Sequence, residues 1–355
     1  MKAILVLEDG RIFEGESSGA QGEAIGELMP NTAVVGYQEM MTDPANIGKI
    51  LILTYPLIGN YGCAQKFNES SRVWLAGMVI KEKSRIFSNW QAKEGFGDFA
   101  KASSLPVISA LDTRTLAVHL RQKGRMLGVI STRCFDVKQL RDKIAALRNK
   151  PAESQLPRVC VSKPVSLGKA RGRKLAVLDL GITRSIIRQI KSLGFSMVLF
   201  PYNTPADKIR KIKPDALVIS NGPEQDPALK EVADNIKPLL GELPILAIST
   251  GCQVLSLALG AKVSKMKVGH HGVNYPIHSP VSYKGEITVQ NHSYVVDIES
   301  LNKIKDVRIT AYNLNDHSVE EIESRRRRFI GVQYYPVSPG FNEVHSVFTR
   351  FSKLL

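Results

Sequence analysis

The sequence predicts an α/β protein of two domains, an α+β domain first and then a domain built on a mostly parallel sheet with helices on both faces. After residue 173 the apolar pattern alternates strictly between strand and helix, as in a doubly wound parallel sheet. Before residue 151, strand-like runs are separated by glycine-containing loops and one clear helix. A length of 355 residues exceeds one ordinary core and suits two.

In the first domain, residues 1–150, AILVLED and ILILTYP read as strands, and 136–148 reads as a helix with apolar positions at Val137, Leu140, Ile144 and Leu147. Residues 151–173 are rich in Pro, Ser and basic residues, hold neither period, and are expected to link the domains. The second domain, residues 174–355, opens with the strand KLAVLDL and the helix TRSIIRQIKSLG, closed by Gly194. The strand SMVLFP, the helix TPADKIRKI and the strand DALVIS follow, then the helix ALKEVADNIKPLL, the strand PILAI and the helix CQVLSLALG, ended by Gly260. Ligands of such sheets bind at the strand ends, here in the loops 180–183, 220–227 and the turn at Ser249.

With 43% hydrophobic and 23% charged residues, the chain reads as globular and soluble. No apolar run approaches the ~18 residues of a membrane span. The start MKAILVLEDGRIFEGE carries acids where a signal peptide would continue its apolar core, so a cytoplasmic protein with no membrane partner is expected. Cys63, Cys134, Cys160 and Cys252 lack metal or disulfide spacing, so no metal site is expected. The formal charge of +15 is compatible with an acidic partner or a solvated surface. The densest basic run, Arg325 to Arg328, lacks the interleaved aromatics of a nucleic-acid stacking surface and precedes the apolar run FIGVQYY, so a solvated hairpin loop is expected and nucleic acid is not.

The chemistry concentrates at PILAISTGCQVL, where a strand runs into a tight turn and a helix with Ser249 at the corner. Ala247 to Gly251 approximates a nucleophile elbow, which exposes a hydroxyl and offers helix N–H groups to an oxyanion. Serine is also a preferred helix cap, and the turn alone does not separate the two.

The chain resembles, over nearly its whole length, the small glutamine-hydrolysing subunit of carbamoyl phosphate synthetase. The resemblance rests on LEDGRIFEGE, VVGYQEMMTDP, LTYPLIGNYG and the DTR of Asp112 to Arg114 in the first domain. In the second it rests on ISNGP, KMKVGHHGVNYPI, TVQNHSYVVD and FIGVQYYPVSPG. It implies a small-subunit N-terminal domain followed by a flavodoxin-like class I glutamine amidotransferase domain. It also implies a large-subunit partner that carries ATP and metal, with no cofactor in this chain, and a place in arginine or pyrimidine biosynthesis. Such amidotransferases use a cysteine thiolate, a histidine base and an orienting glutamate to release ammonia from glutamine.

At the positions that match these motifs the residues differ. The C-L-G-H-Q elbow reads Ser249-Thr250-Gly251-Cys252-Gln253, and Q-F-H-P-E reads Gln333-Tyr334-Tyr335-Pro336-Val337. Ser249, Tyr335 and Val337 therefore stand where the resemblance places the catalytic Cys, His and Glu. The S-N-G-P-G-D-P loop has one added residue, with Glu224 where a glycine would let backbone approach substrate, and a side chain there should narrow the site. Ala45 replaces a serine, Ser293 a glycine and Thr250 the leucine of the elbow, whereas Gly222, Gln253, Asn291 and Tyr294 remain; together these positions form a partial glutamine pocket, so glutamine binding is doubtful. Ammonia-using synthetases of this family carry a similar I-S-T-G elbow. The expectation is a glutaminase-inactive docking and regulatory subunit. An active glutamine-hydrolysing subunit, a serine-dependent amidase and a free-standing regulatory module are the alternatives.

Overall fold

The computed structural model describes residues 1–168, 172–280, 284–338, 340 and 343–355. Lys169 to Arg171 of the expected linker and Pro339 of the VSPG motif lie outside the described residues. Contacts group the chain into two compact units, Met1–Pro151 and Ala152–Leu355. Among the described residues no helix is long and apolar enough to cross a membrane.

The first unit contains nine strands: β1 (Lys2–Leu7), β2 (Ile12–Ser17), β3 (Glu23–Asn31), β4 (Ile50–Leu53), β5 (Leu57–Ile58), β6 (Gly77–Val79), β7 (Glu82–Lys83), β8 (Val107–Ser109) and β9 (Leu127–Ser131). Seven of them close a barrel in the order β1-β2-β8-β6-β4-β3-β9. Closure removes the exposed sheet edges, and β3, β4, β6 and β8 run parallel to their neighbours in that series. Helices α1 (Tyr37–Thr42), α2 (Phe96–Ala102), α3 (Thr113–Lys123) and α4 (Val137–Arg148) accompany the strands. Asp112 of the DTR motif caps α3, accepting from the Thr115 N–H at 2.9 Å. On α4 only Leu140 and Ile144 are buried; Val137 is half-buried and Leu147 exposed, a narrower face than the periodicity predicts.

Residues 151–173 carry helix α5 (Leu156–Val159) and strand β10 (Val165–Leu167), which pairs with the edge of the second unit's sheet. Their polar composition is compensated by the Asp226 carboxylate, which accepts from Ser154 Oγ and from the N–H groups of Gln155 and Leu156. The remaining strands are β11 (Lys174–Asp179), β12 (Ser196–Pro201), β13 (Ala216–Ile219), β14 (Ile245–Ile248), β15 (Val263–His278), β16 (Gly285–Val296), β17 (Arg308–Asn313), β18 (Val319–Ser324) and β19 (Phe329–Val332). The sheet order is β10-β12-β11-β13-β14-β19-β18-β17-β15-β16. β12, β11, β13, β14 and β19 form its parallel core, and the strands beyond are antiparallel.

Both faces of this core are apolar and buried, and successive residues of one strand serve opposite faces. Ala176, Leu178, Leu217, Ile219, Ile245 and Ala247 join one cluster, while Leu175, Val177, Ala216, Val218, Leu246 and Ile248 join the other. The first face is covered by α7 (Ala206–Lys211), α8 (Leu229–Ile236) and α9 (Thr250–Leu259), and the second by α6 (Arg184–Ser192) and α11 (Ser346–Ser352). The short helix α10 (Ile298–Asn302) follows β16. The pattern predicts one helix through 240, but α8 ends at Ile236 and continues as a 3₁₀ turn, Lys237–Leu239, because Pro238 has no N–H to donate. Arg325 to Arg328 form the turn between β18 and β19 and are mostly exposed, with Arg326 paired to Asp306 at 2.9 Å.

Candidate functional site

Strand β14 ends in an elbow. Ser249 has φ 53° and ψ −113°, outside the comfortable region for a residue with a side chain, a strain of roughly 1–3 kcal/mol. Packing on either side enforces the bend. The Ser249 N–H donates to the Val332 carbonyl of β19 at 2.7 Å, and a Cβ on Gly251 would sit 2.2 Å from the Ile219 carbonyl oxygen. Only glycine lets α9 start this close to β13. Thr250 Oγ1 donates to the Gly222 carbonyl at 2.6 Å, fixing the elbow to the loop after β13. Gly222 is itself pressed on the Leu180 carbonyl, where a Cβ would come within 2.0 Å.

Ser249 is 1% exposed, and its Oγ has no hydrogen-bond partner among the described residues. It makes no cap bond to α9 either, so the capping reading of this serine does not hold. Tyr335 is buried, and its hydroxyl accepts from Asn221 Nδ2 at 3.3 Å and, weakly, from Asn291 Nδ2 at 3.5 Å. Val337 is half-buried, and its N–H turns back to the Tyr335 carbonyl. A valine side chain has no atom that can orient a base.

The histidines of this unit near these motifs have other partners. Nδ1 and Nε2 of His271 lie 3.0 Å from Asn291 Oδ1 and 2.9 Å from Ser293 Oγ, with Gly269 leaving the room they need. His345 pairs with Glu286 at 2.9 Å, and His292 Nδ1 lies 3.0 Å from the Tyr294 carbonyl. Cys252 lies wholly in the core under Gly331, where burial first and the Glu320 charge second push its thiol well above the usual range. It is a packed, un-ionised thiol.

Three of the positions expected to line a glutamine pocket, Gln253, Ser293 and Tyr294, converge on one side chain. Glu224 is 6% exposed and accepts from Gln253 Nε2 at 2.7 Å and from the Tyr294 N–H at 3.3 Å through Oε1. Its Oε2 accepts from the Ser293 N–H at 2.7 Å. The expected narrowing by a side chain at Glu224 is therefore a set of specific bonds. Ala45 lies in the first unit, buried at a 3₁₀ turn, where its N–H donates to Asp43 Oδ1 at 2.9 Å. Sequence reasoning missed Asn221 and His271 as the residues that hold Tyr335, Asn291 and Ser293. The GHHG motif was the available signal, but the pairing of His271 with Asn291 across β15 and β16 was not.

Among the described residues one group has metal-ligand composition: His270, His292 and Glu320, with ligand atoms within 4.8 Å of one another. Its contacts are those of an ion-paired imidazolium. His270 lies between Asp316 at 3.0 Å and Glu320 at 3.5 Å, and Glu320 also accepts from Asn313 and Gln290. Burial opposes the charge on His270, but the hydrogen bonds and charges of Asp316 and Glu320 outweigh it and raise the pKa to about 9. His292, edge-on to this ring, is held below its ordinary value, first by burial.

A pH dependence of stability follows from His270. Its folded pKa exceeds the unfolded value, so the folded state binds more protons between about pH 6.5 and 9. The contribution is complete below pH 6.5 and is lost as the pH rises through 9. Urea unfolding should show a loss of about 3 kcal/mol across that window, absent in His270→Gln. An equal loss in the variant would exclude His270 as the cause.

Residues 5–130 match the family described as carbamoyl-phosphate synthase small chain, CPSase domain, and residues 176–353 match glutamine amidotransferase class-I. The chain is 37% identical to a carbamoyl phosphate synthase small chain of Chlorobaculum tepidum, over 99% of this chain and 97% of that one. It is 38% identical to proteins of the same name from Thermus thermophilus, covering 99% and 92% of the two chains, and from Aquifex aeolicus, covering 99% and 98%.

Proposed function

The chain belongs to the carbamoyl phosphate synthase small-chain family, and from that premise we propose that it is a glutaminase-inactive member. In this reading it docks on a synthetase large subunit and supports carbamoyl phosphate formation from ammonia, bicarbonate and ATP, in arginine or pyrimidine biosynthesis. The observation that carries the reading is the Ser249 hydroxyl, buried at the elbow and without a hydrogen-bond partner among the described residues. A serine nucleophile needs an adjacent base to remove its proton. Tyr335 is a poor base at neutral pH, and Val337 can orient nothing. ATP and metal belong to the partner in this proposal, and no step uses a cofactor in this chain.

A second reading, an active glutamine-hydrolysing subunit, is favoured by the full-length similarity to relatives named as synthase small chains and by the amidotransferase match. The strained elbow, still presenting a hydroxyl, favours a serine-dependent amidase over a plain loop. Reconstitution separates these readings. Purified with a synthetase large subunit, the complex should make carbamoyl phosphate from ammonium and not from glutamine. The charge of +15 should make association with an acidic partner faster at low salt. Synthesis from glutamine would favour the active readings, and a chain that never binds a large subunit from its own cell would favour a free-standing regulatory module.

A further inference from the structure

Three N–H donors from two elements of the second unit point at one carboxylate. The Ser293 and Tyr294 amides come from β16 and the Gln253 side-chain amide comes from α9. Two backbone N–H groups and a carboxamide N–H form a receptor for an anion with two acceptor oxygens, because charge-assisted bonds to a carboxylate satisfy all three together. Positions 253, 293 and 294 are also glutamine contacts by family resemblance, and glutamine has one carboxylate, on its α-carbon. The receptor's natural complement is therefore the α-carboxylate of an amino acid, and Glu224 sits in that place.

We infer that Glu224 is a built-in ligand: its carboxylate occupies the α-carboxylate receptor of the remnant pocket and excludes free amino acids from it. The inference rests on reading the pocket as a glutamine-site remnant, but it concerns occupancy and not catalysis. Glu224 is buried, and among the described residues it has no ion pair, so these donors are what holds its charge in place. Leaving the donors without an acceptor would expose buried N–H groups to the same penalty in reverse. A chain that loses the Glu224 carboxylate should therefore recruit another from solution.

The test uses the full-length chain as Glu224→Gly and Glu224→Ala, with wild type as reference, and two probes, sodium acetate and L-glutamine. Both variants should bind each probe saturably in calorimetry and gain thermal stability with acetate beyond an equal concentration of sodium chloride. The affinity should exceed that of wild type by about tenfold or more. Glu224→Gln has one acceptor oxygen and an NH₂ group facing donors, so it should be less stable than wild type and bind neither probe. Folded variants that bind no better than wild type, or wild type that binds L-glutamine as tightly as they do, would overturn the inference. So would variants that remain unfolded in molar acetate, because the receptor would then not be satisfied by an external carboxylate. Binding is read without turnover, so glutamine hydrolysis by wild type would overturn the inactive reading, whereas failed recruitment would overturn only the built-in ligand.

Discussion

Purified protein, alone or with its large subunit, should release ammonia from glutamine no faster than its Ser249→Ala variant. Three losses act on the same step. The hydroxyl at the elbow is less acidic than a thiol, has among the described residues no partner to take its proton, and belongs to a site where, in the proposed reading, the Glu224 carboxylate occupies donors meant for substrate. A general base alone typically contributes ~10²–10⁴-fold, and catalytic groups that act as a unit fail together. Ammonia release should therefore be at the level of contaminating activity, measured by coupled ammonia detection with glutamine in excess. Turnover that Ser249→Ala abolishes would establish a serine amidase and require a base that the hydrogen bonds do not show.

Ser249→Cys alone should also remain inactive. A cysteine at the elbow starts from a thiol pKa of about 8.5 and is activated by a neighbouring base or positive charge. Tyr335 instead accepts from Asn221 and Asn291, and Val337 has no group to orient a replacement. Activity should return only when Tyr335→His, Val337→Glu and Glu224→Gly accompany Ser249→Cys. The four-fold variant should exceed the single one by at least about 100-fold, the lower range of what a base supplies. The order of repair is informative, because Glu224→Gly restores access while Tyr335→His and Val337→Glu restore proton transfer. Robust hydrolysis by Ser249→Cys alone would show that another group, outside positions 335 and 337, acts as the base.

Much of this site was legible in the sequence because its parts are local. The turn from β14 into α9 is written in twelve consecutive residues, and the identities of Ser249, Tyr335 and Val337 are plain wherever the motif is found. Strand and helix periods after residue 173 report which side of each element is apolar, which depends on neighbours a few residues away. The parallel core with helices on both faces follows from those periods, because strands buried on both faces need apolar residues at every position.

What depended on distant residues was decided by the tertiary structure alone. Closing the first unit's barrel joins β1 to β9 across more than a hundred residues, a pairing that no local pattern specifies. The composition of 151–173 suggests a linker, yet β10 pairs with β12, and Asp226, some seventy residues on, satisfies the N–H groups of Gln155 and Leu156. Glu224 reads in the sequence only as bulk where a glycine is usual. Its bonds to Gln253, Ser293 and Tyr294 exist because the sheet brings the β13 loop, α9 and β16 together. The Ser249 hydroxyl, unpartnered among the described residues, has the same origin: the residue type was in the sequence, but whether a base lay beside it depended on packing between elements far apart in the chain. Local order is set by side-chain period and backbone propensity, whereas a site depends on long-range burial and on which buried polar groups find partners.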